Sequence, residues 1–357
     1  MRTLKSASLI LDDGTIFRGK SFGYDKSISG EVVFNTAMTG YPESLTDPSY
    51  KGQLLAFTYP IIGNYGVPAN AIVDKLSEFY ESENIHVNAV IISDYSFEYS
   101  HWNAKKTLAE WLQEEHITGI CDIDTRALTK HLRERGSMAG KIVIDGCEDV
   151  EIANPNETNL VAAASCNEVI EYGAGSKRVV MIDCGVKHNI VRCLLKRDVS
   201  VIRVPWDYDY SHIQYDGLFI TNGPGDPDFC GATVENIRKT IADNSKPIFG
   251  ICMGNHLLAK ASGATTYKLK YGHRGHNQPV REVGTQRCYI TTQNHGFAVD
   301  ESTLGSDWAP LFVNMNDNTN EGIRHKTRPY FSAQFHPEAS SGPTDAEVLF
   351  DDFVKLL

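Results

Sequence analysis

No apolar run in this sequence approaches the roughly 18 residues that a membrane-spanning helix needs, so no helical membrane protein is expected. The opening stretch MRTLKSASLILDDGTIF has an apolar patch that breaks at Asp12 and Asp13. It reads as neither a secretory signal nor an arginine-rich transit peptide, and the expected compartment is the cytoplasm. A basic excess is also missing. There are 34 Lys and Arg against 45 Asp and Glu, a net charge of -11, which argues against nucleic acid as a partner because phosphate binding needs a basic surface. The 8 cysteines form no CxxC pair and no Cys/His ladder, so neither a conventional zinc site nor a disulfide framework is expected. A GxxxxGK loop followed by Ser or Thr is absent, as is a well-placed GxGxxG, which leaves the chain without a nucleotide site of its own. Internal repeats and low-complexity segments are absent too.

What remains is an ordinary globular composition, 41% hydrophobic and 22% charged, on a chain long enough for two domains. Residues 1–145 read as a mixed β/α domain. SASLILDDGTIFRGKSFG is strand, Asp-Asp-Gly turn, strand. AKKTLAEWLQEEHI and DTRALTKHLRERG have helical spacing, the second ended by Gly136. Residues 146–176 are polar and turn-rich and read as a linker. Residues 177–357 alternate strands (RVVMIDC, VSVIRVPW, YDGLFITNG, PIFGIC) with helices (KHNIVRCLLKRD, ATVENIRKTIADN, MGNHLLAKASG). That is the pattern of an α/β domain with a mostly parallel sheet and crossover helices. A last helix is expected over DAEVLFDDFVKLL.

The chemistry concentrates at PIFGICMGNH. A strand ends at Cys252 and turns directly into a helix. A sulfur at a helix N-terminus is stabilised as thiolate by the dipole and the free N–H groups. Gly250 and Gly254 flank it as G-x-C-x-G, the cysteine form of a nucleophile elbow. A cysteine at a strand end can also be a plain buried thiol, so the elbow needs partners. SAQFHPEAS offers His336 as base, and Glu338 two residues on would lie on the same face of an extended segment, with Pro337 stiffening the link. TNGPGDP follows a strand and places Gly223 and Gly225 where a backbone N–H could approach a developing oxyanion. The N–H of Met253 is the natural second donor.

These pieces, in this order, resemble a class I glutamine amidotransferase domain, which implies a flavodoxin-like fold. The segments GEVVFNTAMTGYPESLTDPSY, TYPIIGNYG, SHWNA, DTRALTKHLRERG, YGHRGHNQPV and QNHGFAV together resemble the small, glutamine-hydrolysing subunit of carbamoyl phosphate synthetase. The resemblance implies that Cys252 attacks the glutamine side-chain amide and forms a γ-glutamyl thioester. It implies that His336 moves the proton and Glu338 orients it. Ser49, Gly223, Gly225, Met253, Asn294, Gly296 and Phe297 match positions that hold L-glutamine. Ser49 by itself reads as a turn residue after Asp47 and Pro48. The resemblance further implies a large-subunit partner in a hetero-oligomer. ATP and magnesium are expected on that partner, and no cofactor or metal on this chain. The N-terminal domain is expected to supply most of the partner interface.

One departure stands out. The family usually has G-H-Q after the nucleophile and its neighbour, and here the residues are Gly254, Asn255 and His256. The usual glutamine contacts substrate; His256 would keep one hydrogen bond with a different reach, and a changed glutamine affinity is expected. The alternative is a catalytically weak, regulatory amidotransferase-like subunit. His273, His276 and His295 invite a metal reading that their spacing does not support, and YGHRGHNQP reads as a structural loop near the site.

Overall fold

The computed structural model describes residues 4–243 and 246–357. The chain divides into two compact units, one ending at Glu157 and one starting at Thr158. The first closes seven strands into a barrel: β1 (Ser6–Leu11), β2 (Ile16–Ser21), β3 (Ile28–Asn35), β4 (Gln53–Phe57), β5 (Ala89–Ile91), β6 (Thr118–Cys121) and β7 (Met138–Ile144), in the order β1-β7-β3-β4-β5-β6-β2. The expected hairpin is β1 against β2, with Ile10 opposite Ile16. Gly14 takes φ 84° at its turn, a conformation open to glycine without penalty. Helix α1 (Leu108–Glu114) starts at Thr107, which forms a reciprocal capping box with Glu110. Helix α2 (Thr125–Arg135) is capped by Asp124 and ends at Gly136, φ 106°.

The second unit contains α3 (Leu160–Ala164), β8 (Ile170–Tyr172), β9 (Lys177–Asp183), α4 (His188–Leu195), β10 (Val199–Pro205), β11 (Gly217–Ile220), α5 (Gly231–Asp243) and β12 (Ile248–Ile251). There follow α6 (Met253–Ala261), β13 (Thr266–Glu282), β14 (Cys288–Val299), β15 (Trp308–Asn314), β16 (Asn320–His325), β17 (Tyr330–Ala333) and α7 (Val348–Leu356). Asn244, at the end of the helix expected over 232–244, lies outside the described residues. One sheet of ten strands runs β8-β10-β9-β11-β12-β17-β16-β15-β13-β14. Its middle, β10 through β17, is parallel; both flanks are antiparallel. The sheet is therefore parallel only where the site is built. Its parallel strands are apolar throughout (Val179 to Ile182, Leu218 to Ile220, Ile248 to Ile251) because helices cover both faces. No helix among the described residues is long and apolar enough to cross a membrane.

The expected linker 146–176 needs correction. Its second part, from Thr158, belongs to the second unit. Asn159 caps α3 through Ala162 N–H, and Ile170–Tyr172 adds a strand antiparallel to β10. A three-residue strand carries too little periodicity to be read from sequence and exists because a sheet edge is there to pair with.

Candidate active site

The site forms at the C-terminal ends of the parallel strands, where open α/β sheets place their ligands. Cys252 leaves β12 with φ 55° and ψ −101° and is the N-cap of α6. A non-glycine residue held at positive φ marks a strained turn that the surroundings must enforce. The flanking glycines show how they enforce it. A Cβ on Gly250 would lie 2.5 Å from the Gly254 carbonyl oxygen, and one on Gly254 would lie 2.2 Å from that of Ile220. The G-x-C-x-G pattern is therefore a packing requirement of helix against strand. The Cys252 N–H donates to the Ala333 carbonyl at 2.8 Å and the Gly254 N–H to that of Thr221 at 3.0 Å. Met253 supplies the first N–H after the sulfur, in the helical turn that has no intrahelical acceptor for it.

His336 follows β17, and its N–H bonds the Thr292 carbonyl at 2.8 Å. His336 Nδ1 lies 2.6 Å from Glu338 Oε1, which leaves Nε2 without a hydrogen-bond partner and within the electrostatic reach of the Cys252 sulfur. The three side chains are buried. The link from His336 to Glu338 is a turn rather than the extended segment expected, closed by Ala339 N–H to His336 carbonyl at 3.1 Å. Pro337 sits at the position where its fixed φ favours a turn. Burial disfavours a charged His336, but Glu338 and the Cys252 sulfur outweigh it and hold the imidazole's pKa well above its usual value. Burial would likewise raise Glu338; Lys187 and His336 instead hold it well below the usual carboxylate range. A sulfur facing an imidazole that a carboxylate keeps basic can act as a nucleophile with a proton carrier beside it.

Lys187 is a part of the site that the sequence reading missed. It follows β9 as the N-cap of α4. Its Nζ lies 3.1 Å from Glu338 Oε1 and donates to the Ala339 carbonyl at 2.5 Å. Its side chain is only 3% exposed. A buried lysine is expected to be paired. The available signal was its place just beyond a central parallel strand, in IDCGVK.

The remaining predicted residues fall as follows. Gly223 and Gly225 follow β11; a Cβ on Gly223 would meet the Cys184 carbonyl oxygen at 2.2 Å, and Gly225 takes φ 81°. Asn294, Gly296 and Phe297 lie on β14, and the Cys252 sulfur sits 3.7 Å from the Asn294 carbonyl. His256 is buried in the first turns of α6, with Nε2 3.2 Å from the Phe297 carbonyl. Ser49 belongs to the first unit, in the short turn of helix Pro48–Tyr50 that Asp47 caps through the Ser49 N–H at 2.9 Å.

The histidines of YGHRGHNQP and QNHGF pair across the β13–β14 hairpin, His273 opposite His295. His273, His295 and Glu321 bring one ligand atom each to within 4.8 Å of one another. Both nitrogens of His273 and one oxygen of Glu321 are engaged with protein groups. His273 lies between Asp317 at 2.8 Å and Glu321 at 3.3 Å, and Asn314 donates to Glu321 at 2.8 Å. Despite burial, the two carboxylates raise His273 to about 9. The cluster is a group of ion pairs joining β13, β14 and β16 through His273, His295 and Glu321.

Two family models match: the carbamoyl-phosphate synthase small chain, CPSase domain, over residues 9–142, and glutamine amidotransferase class-I over residues 180–356. The chain is 48% identical over 97% of its length to the carbamoyl phosphate synthase arginine-specific small chain of Saccharomyces cerevisiae, of which it covers 87%. It is 50% identical over 98% of its length to multifunctional protein pyr1-3 of Dictyostelium discoideum. It is 49% identical over 99% to carbamoyl-phosphate synthase (ammonia), mitochondrial, of Aquarana catesbeiana. It spans only 17% and 24% of those two longer proteins. The chain therefore belongs to the carbamoyl-phosphate synthase small-chain family, with a class-I glutamine amidotransferase module as its second unit.

Proposed function

We propose that this chain hydrolyses L-glutamine and delivers the ammonia to a large synthetase chain that makes carbamoyl phosphate from bicarbonate and ATP. The observation that carries the reading is the buried Cys252–His336–Glu338 array on a strained strand-to-helix turn. In this mechanism the Cys252 thiolate attacks the side-chain amide carbon of glutamine. The oxyanion is met by the N–H groups of Met253 and Gly225. His336 gives its proton to the leaving amine, and ammonia departs from a γ-glutamyl thioester. His336 then takes a proton from water, which attacks the thioester; glutamate leaves and the sulfur is restored. Glu338, held ionised by Lys187, keeps His336 oriented. Gly223, Asn294, Gly296 and Phe297, all of the second unit, hold the amino acid.

ATP and magnesium belong to the large chain in this reading, and ammonia passes to it away from water, which would protonate it. The first unit is the proposed main contributor to the interface. It exposes Met38, Phe97 and Trp102, at 67%, 64% and 84%, the kind of surface a partner covers. The similarity to an arginine-specific small chain supports arginine synthesis as one destination of the product, and the similarity to longer multifunctional proteins leaves pyrimidine synthesis as the other.

The test is glutamate release from glutamine, with and without the synthetase chain, for the natural protein and for Cys252→Ser. Partner-stimulated release that disappears in the variant, while ammonia-driven synthesis persists, is the expected result. No release under any condition would overturn the reading and favour the regulatory one.

A further inference from the structure

Asn255 and His256 follow the elbow on α6 and take no part in the proton transfers above. Both are buried. Asn255 fastens the helix to β17: its Oδ1 accepts from Ser332 Oγ at 2.7 Å and its Nδ2 donates to Gln334 Oε1 at 2.6 Å. His256 reaches β14, with Nε2 3.2 Å from the Phe297 carbonyl. That same carbonyl also receives His295 Nδ1 at 2.7 Å. A carbonyl oxygen only accepts, and it has two lone pairs. Each ring must therefore carry a proton on the nitrogen that faces it: Nε2–H on His256, Nδ1–H on His295. Burial favours the neutral rings that such single-proton tautomers require, lowering His256 to about 4 and His295 well below its usual value. His256 Nδ1 then carries the lone pair, buried beside the Gln334 side-chain amide.

We propose that His256 is a positioning residue for glutamine: with His295 it holds the Phe297 carbonyl and so locks the Asn294–Phe297 segment to the helix that carries Cys252. The inference rests on the glutamine-hydrolysis reading. Its physical basis is that nucleophile and substrate-holding strand belong to different elements. The Cys252 sulfur lies 3.7 Å from the Asn294 carbonyl, and a strand segment left free to shift there must be ordered each time glutamine binds, which weakens binding rather than the chemical step. In the related chains a glutamine at this position is implied to contact substrate. Here the only N–H of the ring is committed to the protein backbone, so His256 acts through Phe297.

Two measurements test this. The first is the ¹⁵N spectrum of the histidine rings in the full chain at neutral pH. A His256 ring protonated on Nε2 is expected; a proton on Nδ1 overturns the proposal, whatever the variants do. The second is glutamine-dependent kinetics of the assembled complex for His256→Ala, His295→Ala and the double variant. Loss of one buried hydrogen bond is expected to raise KM for glutamine about 10-fold, with kcat changed less than about 2-fold. If both rings act on one carbonyl, the double variant is expected to stay below about 30-fold rather than reach the roughly 100-fold of independent sites. His256→Gln, which restores an N–H donor, is expected to recover most of the loss. Ammonia-driven synthesis should be unchanged in all four. Multiplicative effects of the two histidines, or an unchanged KM in His256→Ala, overturn the proposal. Absence of glutamate release from the natural complex would instead refute the hydrolysis reading, and the ring spectrum would still decide the Phe297 contact.

Discussion

Replacing Lys187 with methionine keeps the length of the side chain and removes its charge. Glu338 Oε1 has two close cationic or protonated neighbours, Lys187 Nζ at 3.1 Å and His336 Nδ1 at 2.6 Å. All three side chains are 3% exposed or less. Removing one member of a buried ion pair typically costs about 3–5 kcal/mol, because the other charge is left without compensation. His336 remains beside Glu338, so the lower end, about 3 kcal/mol, is expected. A domain of roughly 150–250 residues loses about 2–4 °C in Tm per kcal/mol, which gives a fall of about 6–12 °C. The pH dependence has a definite sign. The folded-state pKa of Glu338 is depressed, with burial opposing and Lys187 the largest favourable cause. A depressed carboxyl contributes stability above its ordinary pKa and loses it as pH falls through the folded value. Without Lys187 that folded value rises, so the acid limbs of both thermal stability and glutamate release shift to higher pH. Differential scanning calorimetry and glutamate release between about pH 4 and 8 measure both. A Tm within about 2 °C of the natural protein, together with coincident acid limbs, would refute the assignment of Lys187 as the partner that keeps Glu338 ionised.

Other perturbations follow the same logic. Asn255→Ala leaves Gln334 Oε1 without its donor and removes a partner of Ser332; a loss of about 2–3 kcal/mol is expected in denaturant unfolding, and less than about 0.5 would contradict the clasp described for Asn255. Gly254→Ala sets a Cβ 2.2 Å from a backbone oxygen. It should destabilise by about 1–3 kcal/mol and, by displacing the Cys252 turn, suppress glutamate release more than it suppresses ammonia-driven synthesis. His273 is raised to about 9, with burial opposing and Asp317 and Glu321 prevailing. Its contribution is full below the ordinary value of 6.5 and is lost as pH rises through about 9. Thermal stability should therefore decline across that window, and His273→Gln should flatten the decline; an identical slope in the variant would exclude the ion group as its cause. Asp124→Ala removes the cap of α2 and should cost about 1 kcal/mol, seen as a small Tm shift with glutamate release unaffected.

The legible part of this protein was local. The Asp-Asp-Gly turn, Gly136 at the end of α2 and the elbow at Cys252 are short-range patterns whose partners lie within a few residues. The alternation of strands and helices after residue 177 exposed the parallel sheet because strands covered on both faces are continuously apolar. His336 and Glu338 were found from adjacency, although a turn joins them rather than the extended segment assumed. The strand at Ile170–Tyr172 was not legible, because it is held by a sheet edge and not by its own composition. The positions on β14 proposed to hold glutamine were reachable only through resemblance.

Sequence alone thus determined the covalent chemistry available to this chain: a thiol on an elbow, an imidazole, a carboxylate and the glycines that allow close approach, each specified by residue type at short spacing. Tertiary structure decided how those groups are charged and held. Lys187 stands 151 positions before Glu338 and meets it only because β9 and the turn after β17 end on the same side of one sheet. His256 and His295 meet on one carbonyl because α6 packs beside β14. Proton positions and ion pairing depend on burial and on distances of about 3 Å, and such distances between residues far apart in the chain are set by the register of strands and the packing of helices.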